Sequence, residues 1–147
     1  MFVKRSLQIL TVAAVAFALA GPLSAQTRDR ITAEQLTGLL KDKGIEGQVN
    51  ERGNIIAQSS GSKIVFFISQ QTLQAYFGLT GTAANVNSIN EWNKSKRFGR
   101  AYIDADGDPC VELDYDLEGG VTDDNIKVWF DTVTSIVRAF RTHVSAK

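Results

Sequence analysis

The chain has 147 residues, 44% hydrophobic and 22% charged, with 16 basic and 16 acidic side chains. That composition describes one globular domain and excludes a disordered tail, a collagen-like repeat and a multi-span membrane protein. One Cys and one His leave too few ligands for most metal cages and too few partners for Ser-His or Cys-His nucleophiles, so no catalytic residue, metal or cofactor is expected.

Lys4 and Arg5 precede an uncharged, largely apolar run from Leu7 to Ala20, and Gly21-Pro22 breaks it ahead of Leu23-Ser24-Ala25. This order reads as a secretory signal peptide cleaved after Ala25. The run is too short to cross a hydrocarbon core of about 30 Å at about 1.5 Å per residue. The expectation is therefore a signal peptide over 1–25, a single domain over 26–147, a periplasmic location, and no stable membrane insertion after cleavage. Cys110 is alone, so it cannot close an intramolecular disulfide and reads as a small buried hydrophobe on a strand.

In the domain itself, Thr32 with Gln35 has the spacing of a capping box, and Ile31 with Leu36 that of a hydrophobic staple. A helix should begin at Ala33, bury Leu36, Leu39 and Leu40, and stop at Gly44. The period then changes from 3.6 to 2. Residues 54–59, 63–69 and 72–79 read as an antiparallel meander, with 47–52 as a short leading strand. A short helix from about Asn85 to Lys96 should turn Val86, Ile89 and Trp92 to one side. Arg97 to Asp104 and Pro109 to Leu117 form a hairpin around Asp106-Gly107. Thr122 caps the last helix, Asp123 and Asp124 favour its positive end, and Val121 with Ile126 makes a second staple. Ile126, Trp129, Phe130, Val133, Ile136, Val137, Phe140 and Val144 recur at three and four, which makes this the main core helix.

The hairpin register decides what its faces carry. A two-residue Asp-Gly turn sets Arg100 opposite Leu113, whereas a three- or five-residue loop groups Ala101 and Ile103 with Val111, Leu113 and Tyr115. The longer loop places Arg100 with Glu112, Asp114 and Asp116 on the other face, and face chemistry favours it. Arg100 is then expected to offset Asp114. The element order is α-βββ-α-ββ-α, an α+β fold with helices against one antiparallel sheet.

Residues 104–124 hold nine acidic and no basic side chains. The hairpin and the last helix account for most of them and leave Glu112, Asp114, Asp116 and Glu118 without a local role. Such segregation can steer a basic partner or support contacts between copies, so a homodimer is an open alternative. Glu112, Asp114 and Asp116, with Trp92 at the edge of its helix stripe and Asn93 facing the sheet, are the candidate partner-binding residues. Both of the last two have a structural alternative: Trp92 as half-buried core, and Asn93 as a tie from its helix to strand or loop backbone. Nucleic acid is not expected, because no basic strip interleaved with aromatics is present.

Asp104, Asp106 and Asp108 have the 1-3-5 spacing of a calcium loop but lack its glycine and its closing glutamate. Ser60 to Lys63 matches S-x-x-K without its companion motifs. His143 has no partner in the sequence and reads as a surface residue.

The strings Ile89-Asn90-Glu91-Trp92-Asn93 and Arg97-Phe98-Gly99-Arg100-Ala101-Tyr102, the Asp106-Gly107 turn and Gly119-Gly120-Val121 together resemble the YbjN-domain family. The resemblance covers about Ile31 to Val144. It implies a fold like the type III secretion chaperones and a role in regulating sensory transduction, with no catalytic residues to carry over. The function expected is a small periplasmic, non-enzymatic binding, chaperone-like or regulatory module for an unknown protein or peptide. The alternatives are a hydrolase using Asp114 and Asp116 with Glu112, or a structural envelope protein.

Overall fold

The computed structural model describes residues 26–145; the expected signal peptide lies outside the described residues. Along the chain run β1 (Thr27–Arg28), α1 (Ala33–Asp42), β2 (Glu46–Val49), β3 (Ile55–Ser59), β4 (Ser62–Ser69) and β5 (Thr72–Gly78). Then come α2 (Val86–Ser95), β6 (Arg100–Ile103), β7 (Pro109–Asp116), β8 (Val121–Thr122) and α3 (Asp123–Ser145). Six strands form one antiparallel sheet in the order β2-β3-β4-β5-β7-β6, and β1 pairs with β8 in a separate two-stranded ribbon. This is the α+β fold expected, with two short strands added.

The helix ends are built as their sequences require. Thr32 Oγ1 accepts from the Gln35 N–H at 3.2 Å and Gln35 Oε1 from the Thr32 N–H at 3.0 Å. Past the end of α1, Gly44 adopts φ 70°, a left-handed turn open to glycine without strain. Asn85 caps α2 through Oδ1, which accepts from the Asn87 and Ser88 N–H groups. Thr122 Oγ1 accepts from the Asn125 N–H at the start of α3.

The core lies between one face of the sheet and the helices. Ile126, Trp129, Phe130, Val133, Val137, Phe140 and Val144 of α3 are buried, while Ile136 is half-buried. Phe66 of β4 meets Trp129 and Phe130 edge-on at 5.8 and 5.7 Å, and Phe77 of β5 meets Phe140 in the same way at 6.4 Å. Aromatic pairs prefer such edge-to-face contacts. Across the sheet, Ile56, Val65, Tyr76, Glu112 and Arg100 form one row on the opposite face.

Four local expectations are corrected. The leading strand is Glu46–Val49 rather than 47–52, because Asn50 Oδ1 accepts from the N–H groups of Arg52 and Asn54 and holds the chain in a turn. Val86 is 73% exposed, so only Ile89 and Trp92 of the expected side are buried; it opens α2 beside β6, an edge strand with no described strand beyond it to cover that turn. The hairpin has the longer loop, with Ile103 opposite Pro109, but this register sets Arg100 against Glu112 and not Asp114. Finally, β6 begins at Arg100 rather than Arg97, because Gly99 turns at φ 84° and leads the preceding residues away from β7.

Candidate functional site

The outer face of the hairpin divides into a saturated part and an open part. Glu112 Oε2 accepts from Arg100 Nη2 at 2.6 Å and Oε1 from Tyr102 Oη at 2.7 Å. Its side chain is 11% exposed, so Glu112 belongs to the fold. Burial, and then the bond to Glu112, push the Tyr102 hydroxyl up to about 12. Asp114 accepts from Gln74 Nε2 at 2.8 Å and Asp116 from the Glu118 N–H at 2.8 Å, yet both stay exposed. Neither takes part in an ion pair among the described residues.

The other two candidate residues are placed to build rather than to bind. Trp92 is completely buried, against Phe140 at 5.0 Å, so it is not available to a partner. Its helix stripe points further into the core than its helical angle suggests, because α2 is sandwiched between α3 and β6. Trp92 Nε1 donates to Gly99 O at a long 3.4 Å. Asn93 is exposed rather than buried, but it makes the backbone tie expected of it. Its Nδ2 donates to Ala101 O and its Oδ1 accepts from the Ala101 N–H, both at 3.0 Å. The amide thus imitates a neighbouring strand at one residue of the β6 edge.

These contacts fix the path of Arg97, Phe98 and Gly99. A Cβ on Gly99 would come within 2.9 Å of Val111 Cγ2 and 3.0 Å of Ile136 Cγ2, so close packing as well as backbone angle requires glycine here. Where the chain leaves β7, a groove of about 460 Å³ opens. Phe98, Leu113, Tyr115, Val128 and Trp129 line it, with Arg97 and Asn125 among its polar groups. Phe98 and Val128 are 61% and 63% exposed. Trp129 stacks on Tyr115 at 5.4 Å, and its Nε1 is buried with no hydrogen-bond partner among the described residues.

The groove also exposes a strand edge. Bonds from the Leu79 N–H to Pro109 O and from the Leu117 N–H to Gln71 O turn the odd residues of β7 toward β5. The bond from the Asp104 N–H to Asp108 O shows that the even ones face β6. Since β6 reaches only to Glu112, the backbone N–H and C=O of Asp114 and Asp116 face outward with no described strand beside them.

The remaining polar groups serve the fold. Asp104 Oδ1 accepts from the N–H groups of Asp106 and Asp108, and its Oδ2 accepts from Cys110 Sγ at 3.4 Å. These bonds, that of Asp108 first, hold its carboxyl below the usual range. Among the described residues, no group of three His, Cys, Asp or Glu side chains is placed to hold a metal. Cys110 is buried on β7 as expected, beside Tyr76 Oη at 2.9 Å, and burial pushes its thiol up to about 11. His143 is not a free surface residue: Nε2 lies 2.7 Å from Ser88 O, and the ring packs on Trp92. No described helix is long and apolar enough to cross a membrane.

Comparison with family models matches residues 32–146 to YbjN, whose description reads "Putative bacterial sensory transduction regulator". The chain belongs to this family. Comparison with curated proteins finds no match. The strings that carry the resemblance have physical roles here: the first supplies Trp92 and Asn93, and the second supplies the groove rim at Arg97 and Phe98, the bend at Gly99 and the tie to Glu112 at Arg100. The groove itself was not among the sequence candidates. The glycine between Phe98 and Arg100 was the available signal, since an isolated glycine in a strand pattern marks a bend or a close approach.

Proposed function

We propose that this YbjN-family protein is a periplasmic, non-catalytic regulatory module that recognises a protein or peptide partner in the groove between β7 and α3. One observation carries the reading: two large exposed apolar side chains, Phe98 and Val128, flank a single groove. Paired exposure of this kind around a cleft is a property of interaction sites. The signal-peptide pattern of residues 1–25 supports the location, and the family's description as a regulator supports the class. A carboxylate hydrolase is the weaker reading, because Arg100 and Tyr102 already saturate Glu112.

The test compares the tagged mature protein with Val128→Arg as bait in periplasmic extract, after confirming that the two have the same melting temperature. A partner retained by the first and lost from the second supports the groove; equal retention overturns it. N-terminal sequencing of the purified protein tests the location. A start at Gln26 is expected, and an intact Met1 in the membrane fraction would refute cleavage.

A further inference from the structure

We infer that the partner presents an extended segment of alternating cationic and apolar residues, which adds to the sheet as a strand along Asp114–Asp116. The inference rests on the groove being the partner site and specifies the chemistry of its occupant. Unpaired backbone groups on a strand edge accept another strand readily, and side chains on the added strand must then alternate between the two faces of the sheet.

Geometry assigns each position. A strand antiparallel to β7 exchanges its backbone bonds with Asp114 and Asp116, so two of its residues, separated by one, stand directly opposite those aspartates on the outer face. Directly opposed side chains in a sheet lie about 4.5–5.5 Å apart at Cβ, and opposite charges there attract. The intervening residue points to the other face, opposite Tyr115 and toward Trp129 and Val128 in the groove. A lysine or arginine, an apolar residue and a second cation fit these three positions in order.

The protein already contains one example of this arrangement. β6 occupies the same side of β7 four residues earlier, and it places Arg100 opposite Glu112 with an ion pair at 2.6 Å. Between the outer-face residues Arg100 and Tyr102, it sends Ala101 into the core. The added strand would repeat that pattern where β6 stops. A second copy of this chain is the poorer occupant, since antiparallel pairing of two β7 edges would set Asp114 and Asp116 against their own counterparts.

The probe is an acetylated, amidated hexapeptide of alternating lysine and valine, compared with its glutamate–valine counterpart by NMR and calorimetry. The lysine peptide is expected to slow exchange of the Asp114 and Asp116 amides, shift the Trp129 indole resonance, and bind about tenfold more tightly than the glutamate peptide at low salt. N-methylation of its lysine amides should abolish binding, while N-methylation of its valine amides should leave binding intact, because only the lysine amides face β7. The charge preference should vanish in Asp114→Asn/Asp116→Asn. Equal affinity for the two peptides overturns the charge assignment. A shifted Trp129 with unchanged exchange at Asp114 and Asp116 overturns strand addition but leaves the groove reading standing. Binding by neither peptide overturns this inference alone if Val128→Arg still loses the partner from extract; if it retains the partner, the groove reading fails too. Protection of the two amides in the free protein that rises with its concentration would identify a second copy as the occupant and refute the inference.

Discussion

The two halves of β7 belong to one continuous strand and have different surroundings. From Pro109 to Glu112 the strand lies between β5 and β6, Cys110 is buried, and Glu112 is held by two donors. From Leu113 to Asp116 it keeps β5 on one side and has the groove on the other. The alternation of apolar and acidic residues from Val111 to Asp116 runs across the boundary at Glu112 and does not mark where the cover ends. The difference comes from outside the strand, where Gly99 turns the preceding chain away. One glycine therefore separates carboxylates that hold the fold from carboxylates left open to solvent.

The sharpest test of the boundary is on α3, which has a core side and a groove side. Phe130 is completely buried and Val128 is 63% exposed. Phe130→Ala should destabilise the domain by about 3–4 kcal/mol in urea titration. Val128→Arg should stay within about 0.5 kcal/mol, as ordinary surface changes do. Similar losses for the two would mean that α3 is rotated and the groove wrongly placed.

Gly99→Ala tests the bend itself. The added methyl meets Val111 and Ile136 within 3.0 Å and a positive φ disfavours it, so a loss of about 2–3 kcal/mol is expected. Hydrogen exchange should locate the damage at β6 and the covered half of β7, with the β3–β4 pairing kept. Damage spread evenly over the sheet would show that the bend is not a separable device.

The helices and the meander were legible in the sequence because their signals are local: capping residues three apart, a stripe at 3.6, alternation at 2. The faces of the hairpin were legible for the same reason. Its exact register was not, since pairing Arg100 with Glu112 or with Asp114 leaves every side chain on the same face and differs only in the loop geometry around Asp104. Trp92 and Asn93 show the corresponding limit for helices. Their angular position was correctly near the sheet, but depth depends on what packs above, and α3 buries Trp92 while Asn93 reaches out to the edge of β6. The groove combines residues from three separate segments, so no local pattern announced it.

Asn93→Ala should cost about 1–2 kcal/mol, because it removes two bonds to the backbone of Ala101. Ala101 should then lose exchange protection, giving the β6 edge the open character that the second half of β7 already has. Unchanged protection would show that the side-chain tie does not cover that edge.

Alkaline pH probes the covered half through Cys110. Its folded-state value of about 11 lies above the ordinary 9.0, so the contribution is complete below pH 9 and is lost as pH rises toward 11, where the unfolded chain releases the proton first. Stability should therefore decline over this window, and less steeply in Cys110→Ala. At pH 8 the native thiol should react with alkylating reagents far more slowly than in urea. Rapid labelling of the folded protein would place Cys110 outside the core.

The smallest effects should come from removing single charges, and they divide the strand at the same place. Glu112→Gln leaves an amide between two donors, Arg100 Nη2 and Tyr102 Oη, of which it can satisfy only one in the same way. A loss of about 1 kcal/mol is expected, discounted for the exposure of Arg100. The Tyr102 hydroxyl should also ionise below its present value of about 12, readable as tyrosinate absorbance. Asp116→Asn keeps the carbonyl oxygen that accepts from the Glu118 N–H, and Asp114→Asn keeps the acceptor for Gln74. Both should therefore stay within about 0.5 kcal/mol of the parent. If Asp116→Asn proves as costly as Glu112→Gln, the open carboxylates are structural and the division of β7 disappears; if neither matters, Arg100 and Tyr102 do not depend on Glu112, and the covered half is held by backbone pairing alone.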